Sequence, residues 1–252
     1  MTEPLPDHIR TGLLNMGLIE EDTVFAAEPL AGGVSSDIWK ITLADRIVCV
    51  KQALSRLKVK QVWEVPTERS QYEIQWLKTA REIVPDTIPL VVGEDAETGS
   101  LAMEYLPPEH YSVWKSDLRD GIMSVSVAKV LGDRLATIHG NTAHRDDIAE
   151  QFKTDELFFE LRPSPFFLTA AEKHPLLAPN LTALTDKLMS TKIALVHGDI
   201  SPKNILVGPN GPVIIDAECA WYGDPAFDLA FCLNHLLLKC LWHPAHTDAY
   251  LA

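Results

Sequence analysis

The stretch Leu195 to Leu229, LVHGDISPKNILVGPNGPVIIDAECAWYGDPAFDL, constrains the chain most, because it makes a strand, a tight turn and a returning strand share space with a cluster of acids. An apolar run, Ile193 to Val196, leads into His197-Gly198-Asp199, and Asn204 opens a second short run, Ile205 to Val207. Gly208-Pro209-Asn210-Gly211 has the residues of a tight turn, and Val213 to Ile215 returns to Asp216. With the turn centred between Pro209 and Asn210, or half a residue beyond, pairing across the hairpin sets Asn204 opposite Asp216 to within about one residue. Asp216 and Glu218 are two apart, so in extended chain they face the same side. Hard oxygen ligands gathered this way, Asn204, Asp216 and Glu218 beside Asp199, suit magnesium, which binds through one or two carboxylates plus waters and substrate phosphates.

At 252 residues the chain can bury a substantial core, as one large domain or two lobes. Its hydrophobic content of 46% and mean hydropathy of +0.02 are those of an ordinary globular protein. A formal net charge of −13 argues against a general nucleic-acid binder, which carries a basic face. Cys49, Cys219, Cys232 and Cys240 show no CxxC spacing and read as free thiols in a reducing compartment. The start, MTEPLPDHIR, lacks the charged and apolar regions of a signal peptide. Leu229 to Leu238, apolar but for Asn234 and His235, is too short to span a bilayer. A cytoplasmic protein with no membrane partner is expected.

Upstream, Asp7 to Leu18 predicts an amphipathic helix, and Leu30 to Ala53 a strand, a Gly-rich turn and two further strands. In that turn Gly32 and Gly33 would let backbone amides approach a phosphate closely, with the hydroxyls of Ser35 and Ser36 as extra donors; a plain hairpin turn is the competing reading. Lys51 sits in an apolar strand, Ile47 to Ala53, and if buried there it needs a partner charge. The alternative is an edge Lys facing solvent. A helix capped by Thr67 and running to Ala80 places Glu73, Leu77 and Ala80 on one face, which makes Glu73 the first choice of partner and Glu68 the second. Leu90 to Gly93 and Ser100 to Tyr105 predict a hairpin, and Met103-Glu104-Tyr105-Leu106 then meets Pro107-Pro108, a boundary between two lobes.

Beyond it the pattern turns helical: Val127 to Ile138, ending near His139-Gly140; Leu176 to Met189; and Asp228 to Leu241. Asp155 to Ala171 carries Phe158, Phe159, Phe166 and Phe167 around Arg162, a core cluster or the lining of a pocket.

A phosphate-covering loop, a strand Lys held by a helix Glu, a hinge, a catalytic loop and a metal-binding Asp are, in this order, what ATP-dependent phosphoryl transfer to an alcohol requires. On HGDISPKN, IIDAE and GDPAFDLA the chain resembles the aminoglycoside phosphotransferase/choline kinase group of kinase-like small-molecule phosphotransferases, from about Leu30 to its end. The resemblance implies an α+β, protein-kinase-like bilobal fold: an N-lobe over residues 1–106, an antiparallel sheet with one main helix, and a mostly helical C-lobe over 107–252 with a catalytic β-hairpin. It further implies ATP in the interlobe cleft, with the Met103 to Leu106 backbone meeting adenine and Lys51, paired with Glu73, holding the phosphates. Asp199 would be the catalytic base, and Asn204 and Asp216 would bind magnesium. Asp-x-Glu in place of Asp-Phe-Gly is similar to methylthioribose kinase and choline kinase and adds Glu218 to the metal site; Asp228 and His197 would brace the catalytic loop. Family members generally continue for several helices past Asp228 to Leu241, so a C-lobe incomplete at its C-terminus is expected. The function implied is a kinase for a hydroxyl of an aminoglycoside-, sugar- or amino-alcohol-like compound. The alternatives are a nucleotide-binding module without catalysis and a magnesium-dependent phosphohydrolase, the last of which leaves Lys51 and Glu73 without a role.

Overall fold

A computed structural model describes residues 4–30, 35–56 and 66–251. The chain divides into two compact units, Met1–Thr79 with Pro89–Pro108, and Ala80–Ile88 with Glu109–Ala252.

The first unit is built on a five-stranded antiparallel sheet of order β1-β2-β3-β5-β4, with β1 at Ala26–Pro29, β2 at Ser36–Thr42, β3 at Ile47–Ala53, β4 at Val91–Asp95 and β5 at Ser100–Glu104. Helix α1, Asp7–Asn15, buries Ile9 and Leu13 in a core with Trp39, Ile41, Val48, Val50 and Ala102. It stops short of the expected Leu18 because Gly17 takes a left-handed φ of +67°. The Gly17 and Leu18 amides then turn back onto the Leu14 and Leu13 carbonyls, which closes the helix end. Val48 and Val50 face this core, so alternation along β3 aims Cys49 and Lys51 at the opposite face. Helix α2, Arg69–Ile83, begins two residues after Thr67, the expected cap, since the chain at Thr67 and Glu68 is still a turn.

In the second unit β6 (Ser112–Val113) precedes α3 (Trp114–Arg119), α4 (Val125–Thr142), α5 (Asp146–Gln151), α6 (Asp155–Leu161), α7 (Thr169–Lys173) and α8 (Ala178–Ser190). Strand β7, Ala194–Val196, pairs with β10, Trp221–Gly223, and the hairpin of β8 (Ile205–Gly208) and β9 (Gly211–Ile214) pairs through β8 with β6. Helices α9, Ala226–Trp242, and α10, Thr247–Leu251, complete the unit. The Phe158 ring stacks on Trp221 with centroids 4.1 Å apart and meets the edge of Phe227 at 4.9 Å, so α6, β10 and α9 share one apolar junction. Among the described residues no helix is long and apolar enough to cross a membrane.

Candidate functional site

The β8–β9 register sets Asn204 against the end of β9. Gly208 pairs with Gly211 and Ile205 with Ile214, so the turn is centred between Pro209 and Asn210. Ile215 N–H donates to the Asn204 carbonyl at 3.0 Å, which sets Asn204 one residue from Asp216, as the turn residues predict. The expectation for Glu218 needs correction. Extended chain was to carry Asp216 and Glu218 on one side, but Asp216 adopts a left-handed φ of +69° and β9 has already ended at Ile214. The order of side chains past Asp216 is therefore set by a tight turn rather than by strand alternation.

The loop between β7 and β8 is fixed from beneath by Asp228 on α9. Fully buried, Asp228 accepts the Gly198 amide on Oδ1 at 2.9 Å and, on Oδ2, the His197 amide at 2.9 Å and His139 Nε2–H of α4 at 3.0 Å. Burial works to raise the Asp228 pKa, but the hydrogen bonds from His139 and the His197 amide, with both imidazoles close by, outweigh it and hold the carboxyl below its usual range. His139 is thus more than a packing residue near the end of α4, and the helix runs past it to Thr142. His197 spends both ring nitrogens in its neutral form: Nδ1 accepts the Asp199 amide at 3.1 Å and Nε2–H donates to the Ile215 carbonyl at 3.2 Å. Burial is the main cause of a His197 pKa below the ordinary histidine value. Gly198 between them has φ +79°, and a Cβ there would lie 2.4 Å from the Cys219 carbonyl oxygen, so only glycine fits.

Above this brace stand the chemical groups. Asp199 and Asn204 are both buried, and the Asn204 side-chain amide donates to the Asp199 backbone carbonyl at 3.1 Å. Two cations meet Asp199 on the same oxygen, Oδ2: Arg162 Nη2 at 3.0 Å and Lys203 Nζ at 3.0 Å; Lys203 also lies 3.6 Å from Asp216 Oδ2. Burial opposes the charge of Lys203, yet Asp199 and Asp216 hold its pKa above the ordinary lysine value. Burial likewise opposes the charge of Arg162, and Cys219, Asp199, Glu218 and Asp216 together outweigh it, so Asp199, Asp216 and Glu218 all lie within electrostatic reach of one guanidinium. Among the described residues no group of three or more His, Cys, Asp or Glu side chains could hold a metal unaided. A hard cation held beside Asn204 and Asp216 would have to take most of its shell from phosphates and water.

In the first unit Lys51 is buried and contacts both oxygens of Glu73, at 2.9 and 2.8 Å, while Glu68 is exposed. The helix periodicity thus ranked the two partners correctly. Ser36 is buried at the start of β2 and its Oγ has no hydrogen-bond partner among the described residues; Gly32 and Gly33 lie outside the described residues. Arg69, buried at the start of α2, donates to the Ser35 carbonyl at 2.6 Å and the Leu54 carbonyl at 2.7 Å, and so ties together the two ends of β2 and β3 next to the Gly-rich turn. Met103 and Glu104 end β5, the Glu104 amide donating to the Leu90 carbonyl at 2.8 Å.

Sequence reasoning missed Arg162 and Arg69. Both bind carbonyl oxygens or a residue far away in sequence, and a carbonyl acceptor leaves no trace in residue identity.

A family model described as the phosphotransferase enzyme family, APH, matches residues 26–251. A methylthioribose kinase of Pectobacterium carotovorum subsp. carotovorum (strain PC1) is 27% identical over 253 residues, which cover 88% of this chain and 62% of that protein. Across the curated methylthioribose kinases it matches, this chain spans 53 to 62% of their length. Among solved structures, ethanolamine kinase of Plasmodium vivax superposes with a TM-score of 0.59 at 13% identity, covering 88% of this chain and 63% of that one. The streptomycin–ATP ternary complex of APH(2")-IIa superposes with a TM-score of 0.54 at 18% identity, covering 90% of this chain and 75% of that one. At these identities the likeness shows the fold, the α+β fold of protein-kinase-like enzymes.

Proposed function

Because the chain belongs to the APH phosphotransferase enzyme family, we propose that it is an ATP- and magnesium-dependent kinase that phosphorylates a hydroxyl of a small, sugar-like acceptor. The observation that carries this reading is the arrangement around the β8–β9 hairpin, where Asp228 of α9 holds the loop of Asp199 and the strand register sets Asn204 one residue from Asp216. Kinship to methylthioribose kinases supports a sugar-like acceptor over the wider set of aminoglycosides and amino alcohols.

Asp199 would orient the acceptor hydroxyl and take its proton as the oxygen–phosphorus bond forms and the bond from phosphorus to the leaving ADP oxygen breaks. Asn204 and Asp216, joined by Glu218, would hold magnesium, and Lys51, kept in place by Glu73, would hold the nucleotide phosphates, with the Ser36 hydroxyl as a further donor. Gly32, Gly33 and Ser35 would cover the same phosphates, and the backbone from Met103 through Glu104 and Tyr105 to Leu106 would meet adenine. When bound, ATP supplies the transferable phosphoryl group and magnesium neutralises charge on the phosphate oxygens as the bond breaks. Little covalent chemistry is left to the protein, so positioning and electrostatics dominate the contribution of these side chains.

The test is an ATP-consumption screen over methylthioribose and other neutral sugars, amino alcohols and aminoglycosides, with and without EDTA. Acceptor-dependent ADP formation that EDTA abolishes is expected, strongest with a neutral sugar. Phosphate release at the same rate without any acceptor would point to a phosphohydrolase instead, and nucleotide-induced thermal stabilisation without product from any acceptor would point to a binding module.

A further inference from the structure

Arg162 is the turn residue that ends α6, just before the helical turn Ser164–Leu168, and each nitrogen of its guanidinium is engaged. Nε donates to the Gly198 carbonyl at 2.5 Å, Nη1 to the Leu161 carbonyl at 2.8 Å, and Nη2 meets Asp199 Oδ2 at 3.0 Å. Its Cζ lies 5.4 Å from the Phe231 ring centroid, and the side chain is only 11% exposed. Burying a guanidinium, which stays charged in proteins, is costly unless it is fully paired. A role in bracing the loop backbone alone would not call for it, because Asp228 already holds the Gly198 and His197 amides from the other side.

What Arg162 adds is control of one carboxylate. Lys203, the other cation on Oδ2, is half exposed on a flexible stem, whereas the planar fork of Arg162 is held at three points. Both cations take Oδ2, and no described residue hydrogen-bonds Asp199 Oδ1. We infer that Arg162 is a positioning residue of the phosphotransfer: by holding Oδ2 it locks the Asp199 carboxylate in one orientation and presents Oδ1 to the acceptor hydroxyl. This rests on the reading of Asp199 as the base. It assigns Arg162 no contact with ATP.

The role predicts a split between rate and nucleotide binding. Arg162→Gln can still donate to the Gly198 carbonyl but gives up the fork on Asp199; its kcat should fall about 100-fold, the scale of an ångström-level misplacement of a reacting group, while KM for ATP stays within roughly twofold. Arg162→Lys keeps a cation for Asp199 without the three-point hold and should retain about a tenth of the wild-type kcat at unchanged KM for ATP. Because Arg162 acts through Asp199, adding Arg162→Gln to Asp199→Asn should lower the rate no further. Should Arg162→Gln not fold, Arg162→Lys alone decides the matter on the same kcat and KM. A wild-type kcat in the folded variant overturns the inference, as do equal changes in KM for ATP and kcat, or losses that multiply in the double variant; in each of these cases the wild-type enzyme is active and the kinase reading stands. A wild-type protein that phosphorylates no acceptor overturns the kinase reading, and this inference with it.

Discussion

Replacing Asp228 with Asn tests how the loop of Asp199 is held. The wild-type carboxylate, fully buried, satisfies three donors at once: the Gly198 amide at 2.9 Å, the His197 amide at 2.9 Å and His139 Nε2–H at 3.0 Å. An Asn side chain of the same shape has one acceptor oxygen. Its amide nitrogen must point a donor at a donor, so at least one backbone N–H loses its partner in a place water does not reach. An orphaned buried donor costs about 1–3 kcal/mol, and the loss of charge from the bonds that remain adds to it, for a total of about 2–4 kcal/mol. For a chain of this size that corresponds to a fall of about 4–16 °C in Tm. Asp228→Ala, which removes all three acceptors and leaves His139 and both amides facing a cavity, should cost about 3–5 kcal/mol. Calorimetry measures the loss, and hydrogen exchange followed by mass spectrometry on peptides covering residues 195–206 locates it, since the His197 and Gly198 amides should exchange faster. A Tm unchanged within about one degree, with unaltered exchange in that segment, would refute the claim that Asp228 carries the loop.

Three other outcomes follow from the same geometry. Gly198→Ala forces a Cβ to within 2.4 Å of the Cys219 carbonyl at a left-handed φ, so it should abolish turnover while leaving the first unit's Lys51–Glu73 pair intact; an active variant, assayed by ADP formation, contradicts the steric argument. His197 is held neutral, its folded pKa lying below the ordinary value of 6.5, so the unfolded chain binds a proton that the native chain refuses. Stability should therefore be full above about pH 6.5 and decline as pH falls towards the folded pKa, and urea titrations from pH 7.5 to 5 should show a shallower decline in His197→Gln, an equal slope in both proteins counting against the assignment. Burial pushes the Cys49 thiol up to about 12, the nearby Lys51 charge opposing only in part, so iodoacetamide at pH 8 should leave Cys49 unmodified in the native protein; rapid labelling there, read by peptide mass, would contradict it.

How far the sequence reveals this protein depends on whether a contact is local and periodic. The register of Asn204 against Asp216 was readable because Gly208-Pro209-Asn210-Gly211 pins the turn and strand pairing counts residues from it. The Lys51–Glu73 pair was readable because β3 is apolar and α2 shows its buried face every three to four residues. Where the backbone leaves regular geometry the same arithmetic fails. Gly17 closes α1 early, and the left-handed Asp216 breaks the alternation that was to align Glu218. The contacts that hold Asp199 were invisible for a different reason. His139 and Asp228 are 89 residues apart, and Arg162, at the end of α6, reaches Gly198 from 36 residues away, so no window of sequence contains both partners. The acids were therefore legible as a cluster, and the two basic side chains that aim and brace them were not.

The most direct test of the central claim compares wild-type and Asp199→Asn protein for transfer of radiolabelled γ-phosphate from ATP to the best acceptor, at saturating magnesium and nucleotide. Removing a general base lowers the rate about 10²–10⁴-fold, so Asp199→Asn should lose at least about 99% of product formation while still binding ATP. Labelled product at the wild-type rate from Asp199→Asn would contradict the assignment of the base and, with it, the account of how this loop works.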